Sequence, residues 1–316
     1  MLSIHTATGP VETSALGQTL MHEHIAILPH AVRVNVPDAW DLDAVIAGCV
    51  ARVEGVMSRG VRTIVDLTTV DLDRDVALVA EIARRSGCNI VVATGCWWQP
   101  PRYFASAPIE WLVDLWTREI SGGIGGTGIR AGIIKLATHE AGVTPAIEKM
   151  LRAGARTHRA TGVPISTHTD VFSRRGEDQQ RIFEEEGVDL SRVIIGHSGD
   201  STDLDYLRGL MARGSTIGMD RFGIDRITPF EQRVDTVAAL CREGYAGQMV
   251  LSHDASANFG GFPGTDERAA AMPNWHYNHI HDDVLPALRD RGVEQAQIDQ
   301  MLVDNPRRIF ERQGHY

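Results

Sequence analysis

The chain has 316 residues, 43% of them hydrophobic and 23% charged, which is enough for a substantial core in one large α/β unit and a poor match to disorder, a coiled coil or a collagen-like repeat. Lys plus Arg is 31 and Asp plus Glu is 41, a net charge of −10 with no basic tract, so nucleic acid is not an expected partner. No apolar run approaches the roughly 20 residues that cross a bilayer, the opening MLSIHTATGP has neither a basic segment nor an apolar signal core, and Cys49, Cys88, Cys96 and Cys241 lack paired metal-ligand spacing. Reduced thiols in a cytoplasmic protein without membrane contact are the expectation.

Residues 1–18 read as a short N-terminal hairpin extension turning at Thr6–Pro10, placed to close the bottom of a barrel. Strands follow at Leu20–Ile27, Thr63–Leu67, Ile90–Thr94, Ala131–Ala137, Pro164–His168, Val193–His197, Thr216–Asp220 and Met249–Asp254. They are apolar on both faces or nearly so, as strands are when helices cover one side and a barrel core the other. Helical spacing of apolar residues runs through Leu42–Arg59, Asp75–Ser86, Thr144–Thr161 and Asp178–Glu186. Eight strands alternating with helices predict a single (β/α)8 TIM barrel over 1–316 rather than an open sheet. The glycine-rich Ser121–Gly128 lacks the Lys and Ser/Thr of a phosphate loop and precedes a strand, so a tight helix-to-strand turn is its ordinary reading.

The strands end in polar groups that packing does not call for. His22 and His24 in LMHEHI are two apart, so both can face the barrel interior with Glu23 directed away. Lys135 interrupts GIIKLA, His168 ends ISTHT, His197 lies in IIGHSGD and Asp254 in LSHDA. All lie near the C-terminal ends of strands, where barrel active sites form. One buried histidine is ordinarily structural; five strands converging on one rim with such groups are not. Four imidazoles and a carboxylate suit a borderline divalent metal such as zinc, and cobalt, manganese or iron are also compatible. Only Lys135 and Lys149 among the 31 basic residues are lysine, so a lysine inside an apolar run asks for a chemical reason. Two metal ions held close together need a shared anionic ligand. An ammonium has no lone pair, whereas the carbamate formed from the Lys135 amine and carbon dioxide carries two oxygens and negative charge. Burial lowers a lysine's pKa and supplies the free amine. His253 should face the opposite side of its strand, in packing or support of the site. His30, His139, His158, His276, His279 and His281 default to surface or structural roles, with His139 lying just past the fourth strand, near the rim.

LMHEH, the Lys135 strand, PISTHT, IIGHSGD, GMDRFG and VLSHD together resemble the phosphotriesterase family of the amidohydrolase superfamily, and more narrowly the phosphotriesterase-like lactonases. The likeness extends to the ending MLVDNPRRIF. It implies that His22, His24 and Asp254 hold a more buried metal and His168 and His197 a more exposed one. Carboxylated Lys135 and a hydroxide would bridge them. Arg221 matches the family's arginine after the strand-seven aspartate, at the pocket, and Asp220 beside it is a structural partner for the rim. Relatives pair as homodimers, which is the basis for expecting a dimer. Two departures bear on substrate. TGCWW places Trp97 where family lactonases carry a tyrosine, with Trp98 beside it, and DASANFGGFPGTDE replaces the usual loop after strand eight.

On this reading the hydroxide attacks a lactone or ester carbonyl, the developing oxyanion is stabilised by the neighbouring cation, and Asp254 carries the proton to the leaving alkoxide. Catalytic roles fall to Asp254, Lys135 and Arg221. Trp97, Trp98, Arg221, Phe222, Phe259 and Trp275 are the candidates for the substrate pocket, whose aromatics suit a hydrophobic acyl chain. The expected activity is opening of lactones, N-acyl homoserine lactones among them. Organophosphate triesters or aryl esters at the same site are the alternative, and a cyclic amide ranks below both.

Overall fold

The computed structural model describes residues 2–260, 270–311 and 314–316. β1 (Ser3–Thr6) and β2 (Gly9–Glu12) form an antiparallel hairpin. The Thr6 hydroxyl closes its turn by donating to the Gly9 carbonyl at 2.7 Å, and Gly9 takes a φ of 123° that other residues rarely adopt. Parallel strands follow as β3 (Gln18–Ile27), β4 (Val61–Asp66), β5 (Asn89–Gly95), β6 (Ile133–Thr138), β7 (Ile165–Thr169), β8 (Val193–Ile195), β9 (Thr216–Met219) and β10 (Met249–Leu251), with β11 (Ser256–Phe259) after them. From β3 to β10 each neighbours the next in order, as right-handed β/α units require.

Closure comes from the eighth barrel strand changing partners. Met249–Leu251 pairs with β9, and Ser256–Phe259 pairs with β3. Residues 252–255 carry the chain across the seam, where the Asp254 N–H donates to the His22 carbonyl (3.0 Å) and the His24 N–H to the Ala255 carbonyl (2.8 Å). Glu23 fills this seam. Its carboxylate accepts from the Ser252 hydroxyl (3.1 Å) and from the His253 and Ala255 backbone N–H groups (both 2.9 Å), and it lies 2.7 Å from His253 Nδ1. Burial pushes the Glu23 carboxyl up to about 8.

The helices start where their caps predict. Asp41 caps Leu42–Met57, Asp75 caps Val76–Ser86, and Thr144, followed by Pro145, caps Pro145–Thr161. The helix expected from Asp178 begins earlier, at Arg175. Ser121–Gly128 is a turn, closed by the Ile124 N–H on the Ile129 carbonyl at 2.8 Å. Outward residues of the strands, such as Ile64, Ile90, Val92, Ile134 and Leu136, pack against the helices. Their inward neighbours Val65, Val91, Ile133, Ile194 and Val250 fill the lower barrel, plugged from below by Ile4 of the hairpin and by Ile309 and Phe310. Ile133 and Lys135 share a face, so the lysine stands one layer above this plug, at the floor of the upper cavity.

Candidate metal centre

Above the plug, His22, His24, Lys135, His168, His197 and Asp254 converge on one cavity of about 420 Å³ at the C-terminal ends of the strands. The backbone is shaped to bring them there. Between the Leu20–Ile64 and Glu23–Asp66 pairings, β3 carries one residue more than β4, a bulge that re-aims the chain at His22. The strands expected to reach His197 and Asp254 end at Ile195 and Leu251 instead, because both residues turn out of the extended region, with φ of 59° and 55°. Of the five non-glycine residues at positive φ among the described residues, His197, Arg221, Asp254 and Asp73 line this cavity. Each such conformation costs about 1–3 kcal/mol, so their clustering marks the rim as a place where side-chain aim outweighs local stability.

His22, His24 and Asp254 form one group able to hold a metal ion, with Asp254 Oδ1 3.2 Å from His22 Nε2 and 3.1 Å from His24 Nε2. His168 Nδ1 and His197 Nε2 face each other at 2.9 Å across the cavity floor. Lys135, 1% exposed, lies between, with Nζ 2.8 Å from His22 Nε2. The outward nitrogen of every one of these imidazoles is held from behind. His22 Nδ1 lies 2.9 Å from Asp220 Oδ2, His197 Nδ1 2.8 Å from Asp220 Oδ1, His24 Nδ1 2.9 Å from the Thr68 hydroxyl, and His168 Nε2 3.0 Å from His139 Nδ1. Metal-ligating histidines show this arrangement, because a partner on one nitrogen fixes the lone pair of the other toward the ion. The donor set therefore fits divalent cations.

Charge supports the same reading. Burial and the Arg221 cation push His197 down to about 3, and burial with His197 beside it holds His168 well below its ordinary value, so both rings are neutral and keep a lone pair. Against burial, His22 and His197 hold the Asp254 carboxyl well below the usual range, and the same two histidines do so for Asp220. Burial lowers the Lys135 ammonium to about 8, against the pull of Asp254 and Asp220. A substantial neutral fraction then exists near neutrality.

Of the residues expected in the substrate pocket, Trp97, Arg221, Phe259 and Trp275 line the cavity, and Phe222 and Trp98 do not. Arg221 faces the cavity and its neighbour Phe222 turns into the core, where it is 1% exposed. Trp98 lies behind Trp97, with ring centroids 5.1 Å apart, and stacks on His139 at 4.5 Å. The part of the strand-eight loop at 261–269 lies outside the described residues. Ile27, Leu72, Ile224, Ile227 and Met272 complete a largely apolar wall, with Asp71, Asp73, Arg226 and Ser256 as further polar groups. Two residues that the sequence reading passed over support the rim. Asp200 accepts from Arg221 Nη1 (2.9 Å) and from Arg233 Nη2 (2.6 Å). Arg233, 1% exposed, also donates to the Gly199 and Thr228 carbonyls. An arginine inside a helical pattern reads as a solvent residue. Asp200, three positions after His197 in IIGHSGD, was the available signal.

The profile of the phosphotriesterase family matches residues 2–310. The chain is 53% identical to the "Phosphotriesterase homology protein" of Mycobacterium tuberculosis over the whole of both chains. The solved "Structure of the phosphotriesterase from Mycobacterium tuberculosis" superposes with a TM-score of 0.95 at 53% identity, covering 99% of this chain and 100% of that one. The chain is also 35% identical to the "Aryldialkylphosphatase" of Saccharolobus solfataricus over 95% of this chain and 96% of that protein.

Proposed function

The chain belongs to the phosphotriesterase family of metal-dependent hydrolases, and we propose that within it the protein is a binuclear enzyme that opens lactones bearing a hydrophobic tail. The observation that carries this reading is the cavity itself, a charged floor of about 420 Å³ space walled mainly by Ile27, Leu72, Trp97, Ile224, Ile227, Phe259, Met272 and Trp275. A lactone places one compact polar group on such a floor and lays one tail on such a wall, and its leaving oxygen stays tethered. The buried ion would be held by His22, His24 and Asp254, the more exposed one by His168 and His197. Two bound divalent cations, zinc by preference for this donor set, would supply an activated water and an electrophile for the carbonyl oxygen.

The chain's own residues do the rest. With carbon dioxide, the neutral Lys135 amine would form a C–N bond and release one proton, and the resulting carbamate would add two anionic oxygens to the donor set. Asp254 stays ionised and hydrogen-bonds Arg221 through Oδ2 (Nε at 3.2 Å), so it can take a proton from the nucleophile and return it to the leaving oxygen. Arg221 is anchored by Asp200, and Asp200 by Arg233, which holds a cation beside Asp254 at the edge of the floor. The Trp97 ring stands T-shaped to His168 at 5.9 Å and forms part of the cavity wall beside it.

Phosphotriester hydrolysis is the second reading, favoured by the name of the Saccharolobus solfataricus relative. The two separate in a paired initial-rate assay on metal-loaded protein, a long-chain homoserine or δ-lactone against paraoxon at matched concentrations. Lactone kcat/KM should be higher by about a hundredfold or more, about 2.7 kcal/mol in transition-state stabilisation. Equal or reversed rates overturn the lactonase reading in favour of the triesterase.

A further inference from the structure

Three of the four cavity histidines lean on an oxygen: Asp220 behind His22 and His197, and the Thr68 hydroxyl behind His24. His168 leans on another imidazole, with His139 Nδ1 3.0 Å from its outward Nε2. His139 lies just past β6, half-buried, and the Trp98 ring lies flat on it, centroids 4.5 Å apart and planes 20° apart. Trp97 abuts Trp98 at 5.1 Å and stands edge-on to His168 at 5.9 Å. The four rings thus form a closed circuit around the outer side of one metal-facing nitrogen.

Resting on the metal-hydrolase reading above, we propose that His139, clamped by Trp98, is the positioning residue of the more exposed metal position, and that this pair sets how firmly the second ion is retained. The chemistry follows from the tautomers. For His168 to offer the Nδ1 lone pair inward, its proton must sit on Nε2 and be donated outward, and among the described residues the acceptor in place is the Nδ1 lone pair of His139. His139 must then carry its own proton on Nε2. A neutral imidazole accepts more weakly than the carboxylate that supports His22 and His197, so His168 is less firmly fixed than either of them. Trp98, which the sequence reading assigned to substrate, acts instead on the metal, by denying His139 the freedom to rotate.

The test reads metal retention, not turnover. The full chain is loaded with zinc, dialysed against graded chelator and assayed for zinc per chain by atomic emission, with circular dichroism to confirm folding. Wild type should hold two zinc ions. His139→Ala should drop to one at a chelator concentration about tenfold lower. His139→Asn, whose side-chain oxygen can accept where Nδ1 did, should stay within about threefold of wild type, and Trp98→Ala should fall between the two. A release profile for His139→Ala that matches wild type overturns the proposal, as does His139→Asn losing zinc as readily as His139→Ala. Should His139→Ala fail to fold, Trp98→Ala carries the test, and a wild-type profile there overturns it. A wild-type chain that holds no zinc at all sinks the metal-hydrolase reading itself, and this proposal with it.

Discussion

At the scale of single residues, Asp220 has the widest reach. Its two oxygens hold the outward nitrogens of His22 and His197, and Oδ1 also accepts the His197 backbone N–H at 2.8 Å, so one buried carboxylate orients a ligand of each proposed ion. In Asp220→Asn one acceptor oxygen becomes an amide that meets an N–H head-on, and the negative charge is lost. Circular dichroism should be unchanged, while kcat falls by about 10–100-fold together with zinc affinity; unaltered kinetics would show that Asp220 is only packing. The polar groups on the rim were legible because each interrupts an apolar run, and no core requires His22, Lys135 or Asp254 where they stand. Their supports were not legible. Asp220 was assigned to the rim from its position beside Arg221, but nothing in GMDRFG says that it faces two histidines. Phe222 and Trp98 each follow a residue that lines the cavity, and both lie past the ends of their strands, where no alternation in the sequence tells which neighbour faces the pocket.

Among the elements, the strand ends decide the site. Gly95 ends β5 with φ 111°, and a Cβ there would run into the carbonyl oxygen of Lys135, the oxygen that accepts the Cys96 N–H at 2.9 Å. Gly196 approaches the Thr167 carbonyl in the same way, one residue before His197. Close backbone approach at these two points lets Lys135 and His197 reach a common floor. Gly95→Ala should therefore cost about 2–3 kcal/mol, a Tm drop of roughly 3–5 °C by scanning calorimetry, with loss of bound metal. Gly209→Ala, in a helix with nothing within 4 Å of the new methyl, serves as the control and should leave Tm the same or slightly higher. Equal Tm values for the two variants would refute the close-approach argument. Strand cores were read well from apolar runs, because burial on both faces leaves a continuous signal. Their C-terminal limits were overrun at His197 and Asp254, since a left-handed φ on His or Asp leaves no mark on composition.

For the molecule as a whole, the core and the site answer to different forces. The barrel plug and the helix layer are apolar and need no metal, whereas the floor gathers four imidazoles, two carboxylates and an amine in a buried space. Chelator-stripped protein should keep its far-ultraviolet spectrum yet melt about 5–15 °C lower, the stabilisation expected from ions present at about a thousandfold over their Kd. Reloading with zinc should restore Tm and activity fully only when bicarbonate is present, because the proposed ligand set is completed by carboxylated Lys135. Full recovery in carbon-dioxide-free buffer would argue that the lysine acts as a plain amine. The barrel itself was visible in the count and order of its strands; how it closes was not. The partner exchange between Met249–Leu251 and Ser256–Phe259 is a property of the seam, where Glu23 gathers its donors, and no local pattern announces it.

That seam has a consequence for how the protein is made. The hydrogen bonds that join His22 and His24 to the residues of the closing strand span 230 positions of chain. At a synthesis rate of about 5–20 residues per second, the first two proposed ligands leave the ribosome roughly ten to fifty seconds before the last one exists. Throughout that interval they are two histidines on an unfinished edge, a loose chelator with no preferred geometry. If these residues are the ligands, discrimination among cations would begin only when residue 254 arrives and the barrel shuts, so the finished fold, not the nascent chain, would choose the metal.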